Sequence, residues 1–276
     1  MAAEATTSCT NCASPLVDVY CAKCGEKQPS HHDLTVGHFA HELVHELVHL
    51  DSKLFRTLRD LVTKPGKLTA EYFAGRKKRS IAPIRLFLTL FAITFIAYSA
   101  FKPVAVYSLE GLMSLDKTHQ FDDLLHKAAA KRHISYEKLS SEIEHRWQKN
   151  MSLLSMVSIV ALALLLKLLY IRHRRYLTEH LVFSTHYICF TYLVSLASWP
   201  IYYAIGMQES PGRRVMMVVT FLISSVYLFV ALRRVYGQGG AKTLVKSIVV
   251  WAGTLVTGML LMTLSLLAAI FQILGV

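Results

Sequence analysis

Residues 248–273 read IVVWAGTLVTGMLLMTLSLLAAIFQI and contain no charged side chain. About 20 apolar residues in a helix cross the hydrocarbon core of a bilayer, so this run is long enough to span a membrane with some tilt. Comparable apolar runs cover residues 84–101, 151–171, 181–205 and 215–232. The sequence therefore predicts about five transmembrane helices.

The N-terminal part of the chain has a different composition. Of the 276 residues 53% are hydrophobic, and these concentrate after residue 83. No apolar run lies near Met1, so we expect no cleavable signal peptide and expect the first span to direct insertion. The predicted fold is an all-α polytopic membrane protein in three parts. They are a zinc ribbon with its linker (1–33), amphipathic cytosolic or interfacial helices (34–83), and a transmembrane bundle (84–276) with an extracytoplasmic helical segment at 108–150.

The net charge of +12 is distributed in a way that indicates membrane topology. Residues 151–276 carry ten Lys or Arg and two Asp or Glu, and most of the basic residues lie in short connections between apolar runs. Basic clusters at Arg76–Arg79, 172–175 and 233–246 lie in every second connection between the predicted spans, and therefore on the same side of the membrane. The positive-inside rule then predicts a cytoplasmic N-terminus and an extracytoplasmic C-terminus. No contiguous basic surface is visible, so we expect no nucleic-acid partner.

Four cysteines near the N-terminus form the most specific motif in the chain. Cys9-Thr-Asn-Cys12 and Cys21-Ala-Lys-Cys24 are two CxxC units separated by eight residues. Each unit directs two thiolates at one point, and two such units complete a tetrahedral zinc site without an open position. We predict one structural zinc that supplies the folding energy of this short segment; a redox pair is the alternative.

A histidine-rich stretch follows the zinc motif. The segment His41-Glu42-Leu-Val-His45 matches HExxH, as does the overlapping segment that ends at His49, and His38 continues the same helical face. HExxH is the zinc-binding and general-base motif of many metalloproteases. The stretch is polar, lies outside any apolar run and lacks an identified third ligand. We interpret it as non-catalytic, with secondary metal binding as an open alternative.

The region between this stretch and the first span reads as short amphipathic helices. Apolar residues recur at steps of three or four over residues 34–62, and Lys64–Lys67 (KPGK) is a turn signal. A second helix is predicted from Leu68 to Ala74, ending at Gly75. Arg76–Arg79 then precede the membrane, where we expect contact with anionic lipid headgroups.

The extracytoplasmic segment contains a helix signal of its own. Ser135 is a good N-cap, and Leu139, Ile143 and Trp147 recur every four residues after it. We predict a helix that runs from this cap into the second span.

Glu179, His180 and His186 are the ionisable residues at the start of the third span. Ionisable groups inside a membrane need a partner or a water-filled cavity. Their functional interpretation is a secondary metal, proton or lipid-headgroup site. The structural interpretation is a set of buried side chains satisfied by neighbours: Arg174 or Arg175 for Glu179, and a Ser, Thr or Tyr of another helix for His186.

Several of these motifs together resemble an uncharacterised bacterial membrane family, domain of unknown function 3667. The resemblance rests on Cys9–Cys24, Leu50–Leu61 (LDSKLFRTLRDL), Lys64–Lys67, Glu71-Tyr72, and Glu179–Phe183 (EHLVF) with His186. It implies a multi-pass protein of the bacterial inner membrane with a cytosolic zinc ribbon. It implies no activity.

Three functional hypotheses follow. The leading one is a non-enzymatic membrane protein whose cytosolic head docks an unidentified protein partner or assists assembly, since the metal site is closed and no catalytic set is complete. The second is a transporter or channel that uses Glu179, His180 and His186. The third is a metalloprotease that uses His41, Glu42 and His45.

Overall fold

The computed structural model describes residues 8–9, 12, 14–15, 21–25, 52–76, 78–101, 109, 120–173, 175–204 and 211–274. Apart from one isolated bridge between Ser8 and Pro15, the regular structure of these residues is helical. The α-helices are α1 (Ser52–Thr63), α2 (Lys67–Phe73), α3 (Pro83–Phe101), α4 (Gln120–Lys131), α5 (Tyr136–Leu169), α6 (Leu177–Ala204), α7 (Pro211–Tyr236) and α8 (Gly240–Leu274). A 3-10 turn, Ile171–His173, follows α5. The all-α prediction is confirmed for the described residues.

Among the described residues, three helical segments are long and apolar enough to cross a membrane: Leu177–Ile201, Val215–Tyr236 and Gly240–Ile273. Helix α5 bends by 43° between Tyr136–Met151 and Met156–Leu169, and it adds a fourth if its two parts form one span. The apolar part of α3, Pro83–Ala97, is shorter. Its 15 residues cover about 22 Å, less than the ~30 Å hydrocarbon core. A membrane protein is thus indicated, while the count of five spans stays a prediction.

The long helices form an antiparallel bundle because two short connections turn the chain back on itself. Residues 170–176 join α5 to α6, and residues 237–239 join α7 to α8. Helix α8 lies along α5, α5 contacts α6, and α6 contacts α3 and α7. Both connections lie at the same end of the bundle, which we call the basic end because it collects the charged residues Arg172, Arg175, Arg233, Arg234, Lys242 and Lys246.

Helices α1 and α2 dock on this basic end through a tight turn. Gly66 adopts a φ of +75°, and a Cβ added there would lie 2.9 Å from the carbonyl oxygen of Ala231 on α7. Arg234 donates a hydrogen bond to the carbonyl oxygen of Pro65 at 2.6 Å. Only glycine permits both this conformation and this close approach, so the KPGK turn is a docking element as well as a break between helices.

Helix α2 ends where the sequence predicts. Gly75 has a φ of +77°, and its N–H donates to the carbonyl oxygen of Tyr72. The predicted amphipathic region 34–83 therefore contains α1 and α2, with Leu61 and Leu68 in the core. Its first part, residues 34–51, lies outside the described residues.

The predicted helix after Ser135 is also confirmed. The Ser135 side chain accepts a hydrogen bond from the N–H of Lys138, and α5 extends, with its bend, to Leu169. Ile143 and Trp147 are fully buried, and the Trp147 indole donates to the Ser265 hydroxyl on α8 at 3.0 Å. The apolar face of this segment therefore packs against the far end of the bundle.

Candidate functional site

The four N-terminal cysteines converge on one point. Their sulfur atoms all lie within 4.8 Å of one another, and the Cys9–Cys24 and Cys12–Cys21 pairs are each 3.6 Å apart. All four are free thiols. A tetrahedron with metal–sulfur bonds of about 2.3 Å has sulfur–sulfur edges of about 3.8 Å. The spacing therefore fits a four-thiolate metal ion.

Short hydrogen bonds shape the loops around this cluster. The N–H of Gly25, which has a φ of +64°, donates to the carbonyl oxygen of Cys21 at 2.6 Å. The Ser14 hydroxyl lies 2.8 Å from the Cys12 sulfur and 3.1 Å from the Cys21 sulfur. Hydrogen bonding by Ser14 is the main reason why the pKa of Cys12 is lowered and that of Cys21 falls to about 6. The two thiols are thereby prepared for the deprotonated form that binds metal.

The cysteine cluster is attached to the rest of the protein through Lys78. The Lys78 ammonium donates to the carbonyl oxygen of Cys24 at 3.0 Å, and a Cβ added at Gly25 would lie 2.8 Å from the same nitrogen. One residue of the Arg76–Arg79 cluster therefore contacts the cysteine cluster, immediately before α3.

His186 is buried inside the bundle and shares a hydrogen bond with Thr69 of α2. The His186 Nδ1 and Thr69 Oγ1 atoms are 2.9 Å apart, and the two residues are 5% and 1% exposed. The hydroxyl partner that the sequence predicts for this histidine is thus supplied by α2, which precedes α3 in the chain. This contact joins the helical segment Leu177–Ile201 to the region before the bundle.

His180, six residues earlier on α6, has a different partner. Its Nδ1 lies 2.7 Å from the Tyr236 hydroxyl, and the two rings are stacked. The Tyr236 ring also stacks on Tyr170, with ring centroids 3.7 Å apart. The His180 Nε2 atom is buried and has no hydrogen-bond partner among the described residues.

Glu179 pairs with the basic residue four positions before it. Arg175 lies 3.4 Å from the Glu179 carboxylate and also donates to the carbonyl oxygen of Val235 at 3.1 Å. Of the two arginines proposed as partners, Arg175 makes the contact, and Arg174 lies outside the described residues.

Glu179, His180 and His186 thus have three separate partners. Within the described ranges, the group whose ligand atoms are close enough to hold a metal ion is the four-cysteine cluster. The interpretation of the three residues as a metal site therefore gains no geometric support. The other candidate ligands, His38, His41, His45 and His49, lie outside the described residues.

Several contact residues carry no local signal in the sequence. Thr69 and Tyr236 are 117 and 56 positions from their histidine partners, so no spacing rule connects them. The role of Ser14 can be predicted from the sequence, because a hydroxyl two residues after a thiolate ligand is placed to form a hydrogen bond with the sulfur. Lys78 was assigned to lipid contact from its basic neighbours alone.

Comparison with known proteins gives one match. No curated protein and no solved structure matches the chain. A family model does match residues 51–95, which contain α1, α2 and the first part of α3, including Gly66 and Thr69. The description of that family assigns no activity. Residues 51–95 match the family described as Protein of unknown function (DUF3667), which confirms the resemblance inferred from the sequence.

Proposed function

We propose that this protein is a non-enzymatic, multi-pass protein of the bacterial inner membrane whose zinc-loaded head docks a cytosolic protein partner. The observation that carries the proposal is the closure of the cysteine cluster. All four sulfurs come from the chain and lie within 4.8 Å of one another. A metal held by four protein ligands has no position for a substrate or an activated water, so its role is to fix the loops around it.

Zinc is the metal that this ligand set favours. Four thiolates in tetrahedral spacing select zinc or an iron–sulfur centre. Two CxxC units within 16 residues are the arrangement of structural zinc ribbons. Iron remains an outcome of the metal measurement described below.

The head presents a surface that is available to a partner. Ala22 and Lys23, at the tip of the second CxxC unit, are exposed, whereas Cys9 and Cys21 are 3% and 2% exposed. The head is held beside α3 by Lys78. The positive-inside rule favours the cytoplasmic side for the basic end of the bundle, which supports a cytosolic position for the proposed docking surface.

Affinity purification from native membranes tests this proposal with four proteins: wild type, Cys12→Ser, Lys23→Glu and Cys189→Ala. The Cys12→Ser change removes a metal ligand, and Lys23→Glu reverses the charge of the exposed tip. Cys189→Ala is the matched control, because Cys189 is buried in the bundle core, away from the cluster. We expect one cytosolic protein to be retained by wild type and the control and lost from the other two. The same protein set on all four would contradict docking by the head.

A proton-coupled transporter is the second candidate, favoured by the buried Nε2 atom of His180, which has no hydrogen-bond partner in the part of the chain that the structure describes. Proton flux into proteoliposomes, followed with a pH-sensitive dye, would support it if His180→Phe abolished the flux while the protein stayed folded. Absence of flux from the wild-type protein would remove this candidate and leave the docking proposal unaffected.

A further inference from the structure

An open cleft of about 680 Å³ lies at the basic end of the bundle. One wall is the end of α5 with the 3-10 turn, and the other is the turn between α7 and α8 with the first turns of α8. The walls are held together by a hydrogen bond of 2.7 Å between the side chains of His173 and Gln238. The residues that line the cleft include no residue of the cysteine cluster and neither His180 nor His186.

The described residues that line the cleft are cationic or uncharged, and none of them is a carboxylate. Arg172, Lys242 and Lys246 are its charged residues. Lys246 is fixed in place: it donates to the carbonyl oxygen of Leu169 at 2.8 Å, and its nitrogen lies 3.7 Å from the centre of the Tyr170 ring. Neither Arg172 nor Lys242 forms an ion pair or hydrogen bond with a described residue. Two lysines one helical turn apart repel each other, and an anion between the walls would relieve that repulsion.

The start of α8 adds to this preference for negative charge. The helix has 35 residues and begins at Gly240, and Ala241 and Lys242 of its first turn line the cleft. The N–H groups of a first helical turn have no acceptor within the helix and carry partial positive charge, which favours a phosphate group.

The same cleft is bordered by exposed apolar side chains. Ile171 and Val245 line it and are each 62% exposed, and Ile248 continues the exposed apolar surface along α8. A soluble anion would use the cations alone. A ligand with a phosphate group and a hydrocarbon chain would use both surfaces, with the chain on the side of the helix that faces lipid.

We propose that this cleft binds the phosphate headgroup of an anionic phospholipid. Arg172 and Lys242 contact the phosphate, Lys246 supplies the fixed charge behind it, and one acyl chain lies along Ile171 and Val245. The site is additional to partner docking by the head and does not depend on it.

Native mass spectrometry of the full chain in mild neutral detergent tests the proposal. Phosphatidylglycerol and phosphatidylcholine with identical acyl chains are added separately, and the affinity of each is measured. We expect wild type to prefer phosphatidylglycerol. The Arg172→Gln/Lys242→Gln double variant should bind it about 25-fold more weakly, from the usual contribution of two basic residues near a membrane surface.

The matched control is Arg56→Gln/Arg233→Gln, which removes the same charge from two exposed arginines outside the cleft. It should bind phosphatidylglycerol like wild type. Melting temperatures in the same detergent check that all variants fold. An equal loss of affinity for phosphatidylglycerol in both double variants would overturn the proposal. Equal affinity of the wild-type protein for the two lipids would also overturn it.

The last part of the experiment adds inorganic phosphate, because a free phosphate offers the same oxygen atoms as a lipid headgroup. We expect millimolar phosphate neither to displace phosphatidylglycerol nor to raise the melting temperature as the lipid does. If phosphate does both, the cleft is a soluble-phosphate site and the lipid assignment is wrong.

Discussion

Thr69 on α2 and His186 on α6 share a hydrogen bond of 2.9 Å between two residues that are 117 positions apart in the chain. The contact lies within the interface where α2 meets α6 and α7. It is buried from solvent on both sides. The short helices that precede α3 are therefore joined to the bundle by a specific polar contact in addition to apolar packing.

This contact predicts the cost of removing the threonine hydroxyl. Thr69→Val keeps the shape of the side chain and leaves the His186 ring nitrogen unpaired, so we expect the free energy of unfolding to fall by about 1–3 kcal/mol. Thr63→Val is the control, because the Thr63 hydroxyl is exposed and bonds only within its own helix. The free energy of unfolding of both variants is measured in detergent, with circular dichroism as the signal.

A double-mutant cycle with His186→Phe separates pairing from packing. If the hydrogen bond carries the effect, Thr69→Val should cost much less in the His186→Phe background than in wild type. Additive costs would mean that the two residues contribute independently and that the contact has no coupling energy.

Gly66 and Gly237 give a matched test of docking by the KPGK turn. Both have positive φ, +75° and +64°, but a Cβ at Gly66 would lie 2.9 Å from the Ala231 carbonyl oxygen while one at Gly237 meets nothing within 4 Å. Each Gly→Ala change should cost about 1–2 kcal/mol for the left-handed backbone. We expect Gly66→Ala to cost a further ~1–3 kcal/mol for overpacking against α7. Equal melting temperatures of the two variants would argue against the docking contact.

The elements that the sequence predicts well are those with a local pattern. The Ser135 cap and the four-residue repeat of Ile143 and Trp147 follow from helix geometry alone, as do the turn at Gly66 and the helix end at Gly75. The number of spans is harder to predict from the sequence, because the apolar part of α3 is shorter than the width of a bilayer and α5 bends by 43°.

The candidate site also contains some residues whose contacts the sequence predicts and others whose contacts it does not. The cysteine cluster is visible because all four ligands lie within one short segment with regular spacing. The partner of His180 could not be predicted, because Tyr236 is brought to it only by the antiparallel return of α7. Lys78 bonds a main-chain carbonyl, a partner that no side-chain pattern reveals.

Asp60 makes the stability of the α1–α2 region sensitive to low pH. Lys67 donates to its carboxylate at 2.7 Å, and this bond is the main reason why the pKa of Asp60 lies below its ordinary value. A lowered pKa means that the contribution to stability is complete above about pH 4 and is lost as the pH falls through the folded-state pKa. Asp60→Asn should lower the free energy of unfolding by about 1–2 kcal/mol at neutral pH and weaken its dependence on acid pH.

The control for Asp60 is Lys64→Ala, which removes an exposed cation 3.7 Å from the same carboxylate. Exposed ion pairs contribute little, so this change should cost less than ~0.5 kcal/mol. A pH profile of Asp60→Asn that parallels wild type would assign the acid dependence to other groups.

A reporter fused after Val276 tests both topology and the number of spans. With a cytoplasmic N-terminus, five spans place the C-terminus in the periplasm, and four spans return it to the cytoplasm. We expect an alkaline phosphatase fusion to be active and a green fluorescent protein fusion to be dark. The reverse result would indicate that α3, whose apolar part is the short one, does not cross the membrane.

The cysteine cluster predicts one tightly bound zinc per chain. Metal analysis of the purified protein should find zinc at a 1:1 ratio, and Cys12→Ser should lose it, because three thiolates leave the tetrahedron open. Cys189→Ala should keep the metal, since Cys189 lies in the bundle core. Removal by a strong chelator should expose the four thiols to alkylation while the helical content of the bundle stays unchanged. Iron in place of zinc would correct the metal but keep the site. A 1:1 metal retained after all four cysteines are changed to serine would place the metal elsewhere and remove the basis for a zinc-dependent docking head.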